Sequence, residues 1–202
     1  MLKLVLFCFI VLLIPTTNAK TVNCHHALNS PIENFCEVIP TVLWRGAKPD
    51  KQTAQWLVNM GVKTIINLEL IHDDADVLKK IRINNPVDYY RVPTWEPFYA
   101  IAYDRADEDV IHFLAIAKQA KTPMYVHCRA GENRTGVMIA AYKIILQEQY
   151  NLVQVQAIIK EMQAYDGFWS DATSDYIQDL AKRHADIQQK VEHYQVEKPI
   201  RF

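Results

Sequence analysis

Apolar residues recur along this chain in two rhythms, one suited to strands and one to helices. Val62-Lys63-Thr64-Ile65-Ile66-Asn67-Leu68 is rich in β-branched residues and predicts a buried strand. Shorter strands are predicted at Val42 to Arg45, at Tyr89 to Val92, which Pro93 stops, and at Met124 to His127 behind Pro123. Between them the spacing turns helical. Asp50 caps a predicted helix through Trp56, Leu57 and Met60, which Gly61 ends. A second helix is expected around Asp74 to Ile83, followed after Tyr89 to Val92 by a loop from Thr94 to Tyr103. From about Asp107, Val110, Phe113, Leu114 and Ala117 fall at helical spacing. The stretch from Arg134 to about Glu148 is apolar on nearly all sides, which predicts a buried helix. Asn151 and Gln154 form a capping pair ahead of Val155, Ile158, Ile159 and Met162. One last helix carries Ile177, Leu180, His184, Ile187, Val191 and Tyr194 on a single stripe. Strands alternating with helices predict an α/β fold, a mostly parallel central sheet flanked by helices on both faces.

The first residues follow neither rhythm. Lys3 precedes an apolar run from Leu4 to Ile14, Pro15 breaks it, and Thr17-Asn18-Ala19 offers small residues where a signal peptidase cuts. The expected organisation is a signal peptide at 1–19, an irregular arm at 20–40 and one domain at 41–202. The apolar run is short for a bilayer-spanning helix, and no later segment reads as one, so no stable membrane span is expected after signal removal. The protein is accordingly expected to be exported, periplasmic or secreted.

Composition narrows the partners. The 202 residues are 50% hydrophobic and 22% charged, with a formal net charge of −1. There is no block of like charge, which argues against a broad nucleic-acid surface. Loss of the leader would leave Cys24, Cys36 and Cys128. Cys24 and Cys36 can pair in an oxidising compartment or remain two reduced, buried thiols, and Cys128 is then the odd thiol that needs a reason. His25 and His26 find no metal-ligand partners, so neither a metal nor another cofactor is expected.

That reason lies in His127-Cys128-Arg129-Ala130-Gly131-Glu132-Asn133-Arg134-Thr135-Gly136, between a predicted strand and a predicted helix. A loop entering a helix turns N–H groups inward and adds the positive end of the helix dipole. Residues Arg129, Ala130, Gly131, Glu132, Asn133 and Arg134 could therefore ring the oxygens of a phosphate, with Gly131 relaxing the turn. Cys128 beneath them would ionise readily and act as nucleophile. Arg134 can hold two phosphate oxygens with its planar fork, and Thr135 can donate to the sulfur as it leaves.

This segment resembles the active-site loop of the cysteine-based protein tyrosine and dual-specificity phosphatases. Leu43-Trp44-Arg45-Gly46-Ala47-Lys48-Pro49, then Gly61 and Lys63-Thr64-Ile65-Ile66-Asn67-Leu68, is similar to the opening of the small atypical dual-specificity members. The resemblance spans roughly residues 41 to 165. It implies metal-independent hydrolysis of phosphotyrosine or phosphoserine/threonine in proteins through a phosphocysteine. It also implies a general acid on a loop about thirty residues before the cysteine. Glu96, 32 residues ahead of Cys128, stands there as Glu rather than Asp. Asp104 competes with it, whereas Asp107 is expected to cap its helix.

The remaining residues near this motif have quieter readings. His127 is expected to shape the loop, hydrogen-bonded beneath it, and Arg45 to be structural, packing near the site. Arg129 and Glu132 point outward, and Trp95, Phe98 and Tyr99 form either a wall for a substrate ring or a cover for the core. Inositol phosphates and phosphoinositides stay open as substrates. Two readings of other classes are a phosphate-binding module with weak catalysis and a rhodanese-like sulfur carrier; Arg134 and Thr135 favour phosphorus over sulfur.

Overall fold

The computed structural model describes residues 30–165 and 170–202. The expected leader, Cys24 and most of the arm lie outside the described residues.

A six-stranded sheet forms the centre. In chain order its strands are β1 (Cys36–Ile39), β2 (Leu43–Gly46), β3 (Thr64–Asn67), β4 (Asp88–Arg91), β5 (Met124–His127) and β6 (Ile200–Arg201), arranged β1-β2-β5-β3-β4-β6. The four inner strands are parallel, while β1 and β6 close the edges antiparallel. The expectation of a mostly parallel sheet holds. Parallel register aligns Gly46 with His127, His127 with Asn67, and Asn67 with Arg91. The loops that follow β2, β3, β4 and β5 therefore open on one edge, the usual place for a ligand in such a sheet.

Side-chain alternation explains the two layers of helix. Ile66 and Val126 face the larger core, Ile65 and Tyr125 the smaller one. On the smaller side sit α1 (Lys51–Asn59) and α2 (Ala75–Leu78). Asp50 caps α1 in a capping box with Thr53, and Gly61 follows it at φ +94°. On the larger side lie α3 (Phe98–Ile101), α4 (Tyr103–Gln119), α5 (Asn133–Ala141), α6 (Leu152–Gln163), α7 (Asp171–Lys182) and α8 (His184–His193). Val137, Met138, Ile139, Ala140 and Ala141 of α5 are all fully buried. Each large apolar side chain so placed contributes about 1.5–3 kcal/mol. A π-helical turn, Tyr142–Leu146, extends α5. Asn151 caps α6 through Gln154 as expected.

Four expectations need correction. The helix expected over Asp74 to Ile83 is the single turn α2, of whose apolar residues only Leu78 is buried, while Ala75, Ile81 and Ile83 cover the smaller core partly. The loop expected from Thr94 to Tyr103 contains α3, and α4 starts at Tyr103, so Asp107 lies inside the helix and caps nothing. Asp107 instead accepts from Tyr176 Oη at 3.0 Å and from the Arg183 guanidinium, tying α4 to α7. The single last helix is two, broken at Arg183, whose side chain is held by Asp107 and Asp179. Finally, residues 36–39 of the supposedly irregular arm form edge strand β1. Cys36 is disulfide-bonded, and its expected partner Cys24 lies outside the described residues.

Candidate active site

The turn from β5 into α5 holds Cys128, 3% exposed, directly after His127. Four carbonyls of this turn are claimed from outside. Lys48 N–H donates to the Arg129 carbonyl at 3.1 Å, and Asn34 Nδ2 donates to that of Ala130 at 2.9 Å. Arg45 Nη2 donates to the carbonyls of Gly131 at 2.5 Å and Glu132 at 3.1 Å. In a planar trans peptide the C=O and the following N–H point opposite ways. With the carbonyls turned outward, the N–H groups of Ala130, Gly131, Glu132 and Asn133 are directed to the inner side of the turn. Glu132, the residue before α5, makes no side-chain capping bond, so the first N–H groups of the helix are also left without that partner. A cup of amide donors at a helix start suits an anion.

Gly131 is required here twice over. Its φ is +75°, and a Cβ would collide with the Gly46 carbonyl group. Arg45 is fully buried and stacks with Cζ 3.6 Å from the centre of the Tyr165 ring, while Nη1 meets Met162 Sδ at 3.2 Å. Burial pulls its guanidinium below the usual value, and Tyr165, Cys128 and Glu161 oppose that. The expected structural role for Arg45 stands: it holds the loop from behind.

Arg134, in the first turn of α5, donates to the Leu68 carbonyl at 3.3 Å and lines a cleft of about 340 Å³. Glu69, Leu70, Trp95, Glu96 and Arg129 share that lining. Two carboxylates and two guanidinium groups thus line one cleft. Glu96 comes to the loop through its neighbour, accepting from Asn133 Nδ2 at 2.6 Å. Thr135 is fully buried and its Oγ1 has no hydrogen-bond partner, leaving a free donor at the base of the turn.

The sequence-derived set is therefore largely assembled. Arg129, Arg134 and Glu96 line the cleft, whereas Cys128 and Thr135 are not among its lining residues and lie buried in the turn that carries Arg129 and Arg134. Asp104 does not join them; it is exposed in the first turn of α4 and outside the cleft lining. The three aromatics divide. Trp95 is 44% exposed on the cleft wall, with Phe98 edge-on at 5.0 Å. Tyr99 is core, and its hydroxyl is buried without a partner. Burial raises the Tyr99 phenol well above its ordinary value, reinforced by Asp109, Glu96 and Cys128 and opposed by Arg134.

Sequence reasoning missed three supports. Asn34 reaches the loop across 96 residues, so no local pattern announces it. Asp74, read only as a helix residue, accepts or shares a proton with His127 behind the loop. Asn133, read only as a loop donor, also carries the bond to Glu96.

Comparison with known proteins agrees with this geometry. A family model described as a DSP-PTPase phosphatase fused to NAD+ kinase matches residues 17–179. The dual specificity protein phosphatase TpbA of Pseudomonas aeruginosa is 32% identical over 141 residues, covering 68% of this chain and 56% of TpbA. NAD kinase 2 of Arabidopsis thaliana is 28% identical over 111 residues, 50% of this chain and 10% of the kinase. The chain thus spans about half the length of TpbA and a tenth of the kinase. The crystal structure of TpbA superposes with a TM-score of 0.60 at 25% identity, over 88% of this chain and 99% of the other. A structure of TpbA in complex with pTyr gives the same TM-score of 0.60 at 22% identity, over 89% and 99%. The fold is that of the cysteine phosphatases.

Proposed function

The chain belongs to the family described as a DSP-PTPase phosphatase fused to NAD+ kinase, and from that membership we propose that it is a phosphoric monoester hydrolase of the dual-specificity type. The observation that carries the proposal is the turn above Cys128, whose carbonyls are all drawn outward by Lys48, Asn34 and Arg45.

In the first step the Cys128 thiolate attacks phosphorus and the bond to the leaving oxygen breaks. Glu96 supplies that oxygen with a proton, a contribution of about 10²- to 10⁴-fold for poor leaving groups. Arg134 and the inward amides follow the phosphoryl oxygens as charge spreads over them. In the second step Glu96, now ionised, takes a proton from water, and the hydroxyl oxygen attacks the phosphocysteine. Phosphate departs and sulfur leaves as thiolate, with Thr135 Oγ1 donating to it. Thiolate, guanidinium and carboxyl account for every proton and charge, so the reaction calls for no metal.

The substrate we propose is a singly phosphorylated protein side chain, with phosphotyrosine preferred. Glu69 and Glu96 offset Arg129 and Arg134 in the cleft, which disfavours the dense charge of highly phosphorylated inositols. Leu70 at 48% exposed, Ile71 at 91% and Trp95 at 44% form an apolar rim suited to an aromatic ring. The relative TpbA, a dual specificity protein phosphatase solved with pTyr, supports the same choice. We further propose that the protein is exported. The leader pattern of residues 1–19 supports this, and so does the disulfide at Cys36, a bond that persists in oxidising compartments.

The test is hydrolysis of an aryl phosphate by the protein and by Cys128→Ser. The variant should retain phosphate binding and fold yet lose turnover to below about a few per cent, as expected when the attacking thiolate is removed. Turnover that survives the substitution would overturn the mechanism, and an inositol phosphate outcompeting phosphotyrosine peptides would overturn the substrate.

A further inference from the structure

Glu96 does not reach the catalytic turn as a free side chain. Its backbone is fixed first: Thr94 N–H donates to the Leu68 carbonyl at 3.2 Å, and the Glu96 carbonyl accepts from Tyr99 N–H at 3.2 Å as α3 begins. Thr94 is buried, and its Oγ1 closes back on the Val92 carbonyl at 2.9 Å. The segment that carries the carboxyl is thus pinned to the end of β3 and to a helical turn. The carboxyl itself is then held by one bond, from Asn133 Nδ2 to Oε1 at 2.6 Å. Asn133 opens α5, one position before Arg134, so the holder belongs to the same turn that cradles the phosphate.

We propose that Asn133 is a positioning residue for the general acid, setting both the rotamer of Glu96 and the oxygen that carries its proton. The proposal rests on the assignment of Glu96 made above. An amide N–H only donates, so the oxygen it meets must act as acceptor. With Oε1 committed to Asn133, the transferable proton resides on Oε2, the oxygen left to meet the leaving group. Glu has one more rotatable bond than Asp and loses more freedom when held in one pose. A neighbouring donor makes the longer side chain usable where a shorter one would need less support. Because the donor stands beside Arg134, the distance between proton and phosphate is set within one short turn.

Leaving-group chemistry separates positioning from mere shaping. Expulsion of phenol from phenyl phosphate needs the proton, whereas dinitrophenolate leaves without it. The specificity constant kcat/KM reports only steps up to that expulsion, so the later water attack does not blur the comparison. Asn133→Ala should lower kcat/KM for phenyl phosphate by about tenfold, a fraction of a typical acid contribution, and for dinitrophenyl phosphate by less than about twofold. Glu96→Gln should show the same split more strongly, about 10²-fold against a small change. The double variant should match Glu96→Gln alone. Asn133→Ser adds no charge to the phosphate cup and suits a helix start, so it repeats the split if the alanine variant does not fold. An equal loss on both esters in the Asn133 variants, with the Glu96 split intact, would overturn the positioning role alone. Absence of a split in Glu96→Gln would remove Glu96 as the acid and the proposal with it.

Discussion

Asp74 Oδ2 lies 2.7 Å from His127 Nε2, and both side chains are fully withdrawn from solvent. His127 Nδ1 faces the Cys128 carbonyl at 3.1 Å on its other side. Oxygens thus stand at both ring nitrogens, and the ring is fixed from two sides. Asp74 is placed by its own N–H, which donates to Tyr89 Oη at 2.9 Å. Its second oxygen lies 3.0 Å from His72 Nε2, in an orientation too poor for a hydrogen bond. The pair is a fixed floor beneath Cys128.

Asp74→Ala tests that floor by removing the carboxyl group. Nε2 of the buried ring then has no partner, so one buried bond to the ring is given up. The expected cost is about 1–3 kcal/mol, which lowers Tm by about 2–12 °C in a chain of this length. Thermal unfolding of the two proteins measures it. An unchanged Tm would mean that the contact contributes nothing to the fold.

This pair also marks where sequence reading ended. Met124 to His127 could be read because a short, continuously apolar run suits a strand buried on both faces and its Pro123 flank is local. Cys128, Arg134 and Thr135 were legible for the same reason: a turn into a helix fixes their offsets within a few residues. The helices with full apolar stripes, α4 and α6, were legible too, because 3.6-residue periodicity survives wherever one face is buried. Asp74 and Asn34 were not, since their partners sit 53 and 96 residues away and nothing in a local pattern encodes such pairings. The break between α7 and α8 was hidden by the apolar stripe, which continues through it. What ends α7 is Arg183, drawn to Asp107 and Asp179, a tertiary contact that overrides local propensity.

Asp109 of α4 yields a prediction with a direction in pH. Its Oδ2 is buried without a hydrogen-bond partner. Burial, with Glu108 adding to it, raises its pKa to about 7. An unfolded Asp titrates near 3.9, so the folded state holds this proton more tightly. Below both values the group is neutral in either state and costs nothing. As pH rises toward 7 the unfolded chain ionises first and stability falls; above 7 the whole cost is present. Asp109→Asn removes it. After discounting for partial exposure, about 1–2 kcal/mol should be gained, or about 2–8 °C in Tm at pH 8. The gain should vanish near pH 4. Paired melting curves at the two pH values decide it, and a gain of equal size at both would show that charge is not the cause.

The disulfide at Cys36 makes reductant act on this protein in two opposed ways. Cys128 is free, and peroxide should convert its thiolate to sulfenic acid, stopping turnover until a thiol restores it. Cys36 begins β1, two residues after Asn34, whose amide braces the Ala130 carbonyl at 2.9 Å and Glu132 Oε1 at 3.2 Å. Phe35 between them packs on Trp44, Trp56 and Tyr125. Opening the disulfide frees the chain that presents this brace, at a cost of about 2–5 kcal/mol. Low thiol should therefore rescue peroxide-treated protein with Tm unchanged, whereas strong reductant should lower Tm by about 4–20 °C. Cys36→Ser should start at that lower Tm and show no further fall on reduction. A wild-type Tm indifferent to strong reductant would separate the bond from the brace, and the catalytic turn would then owe its shape to Arg45 and Lys48 without help from the N-terminal segment.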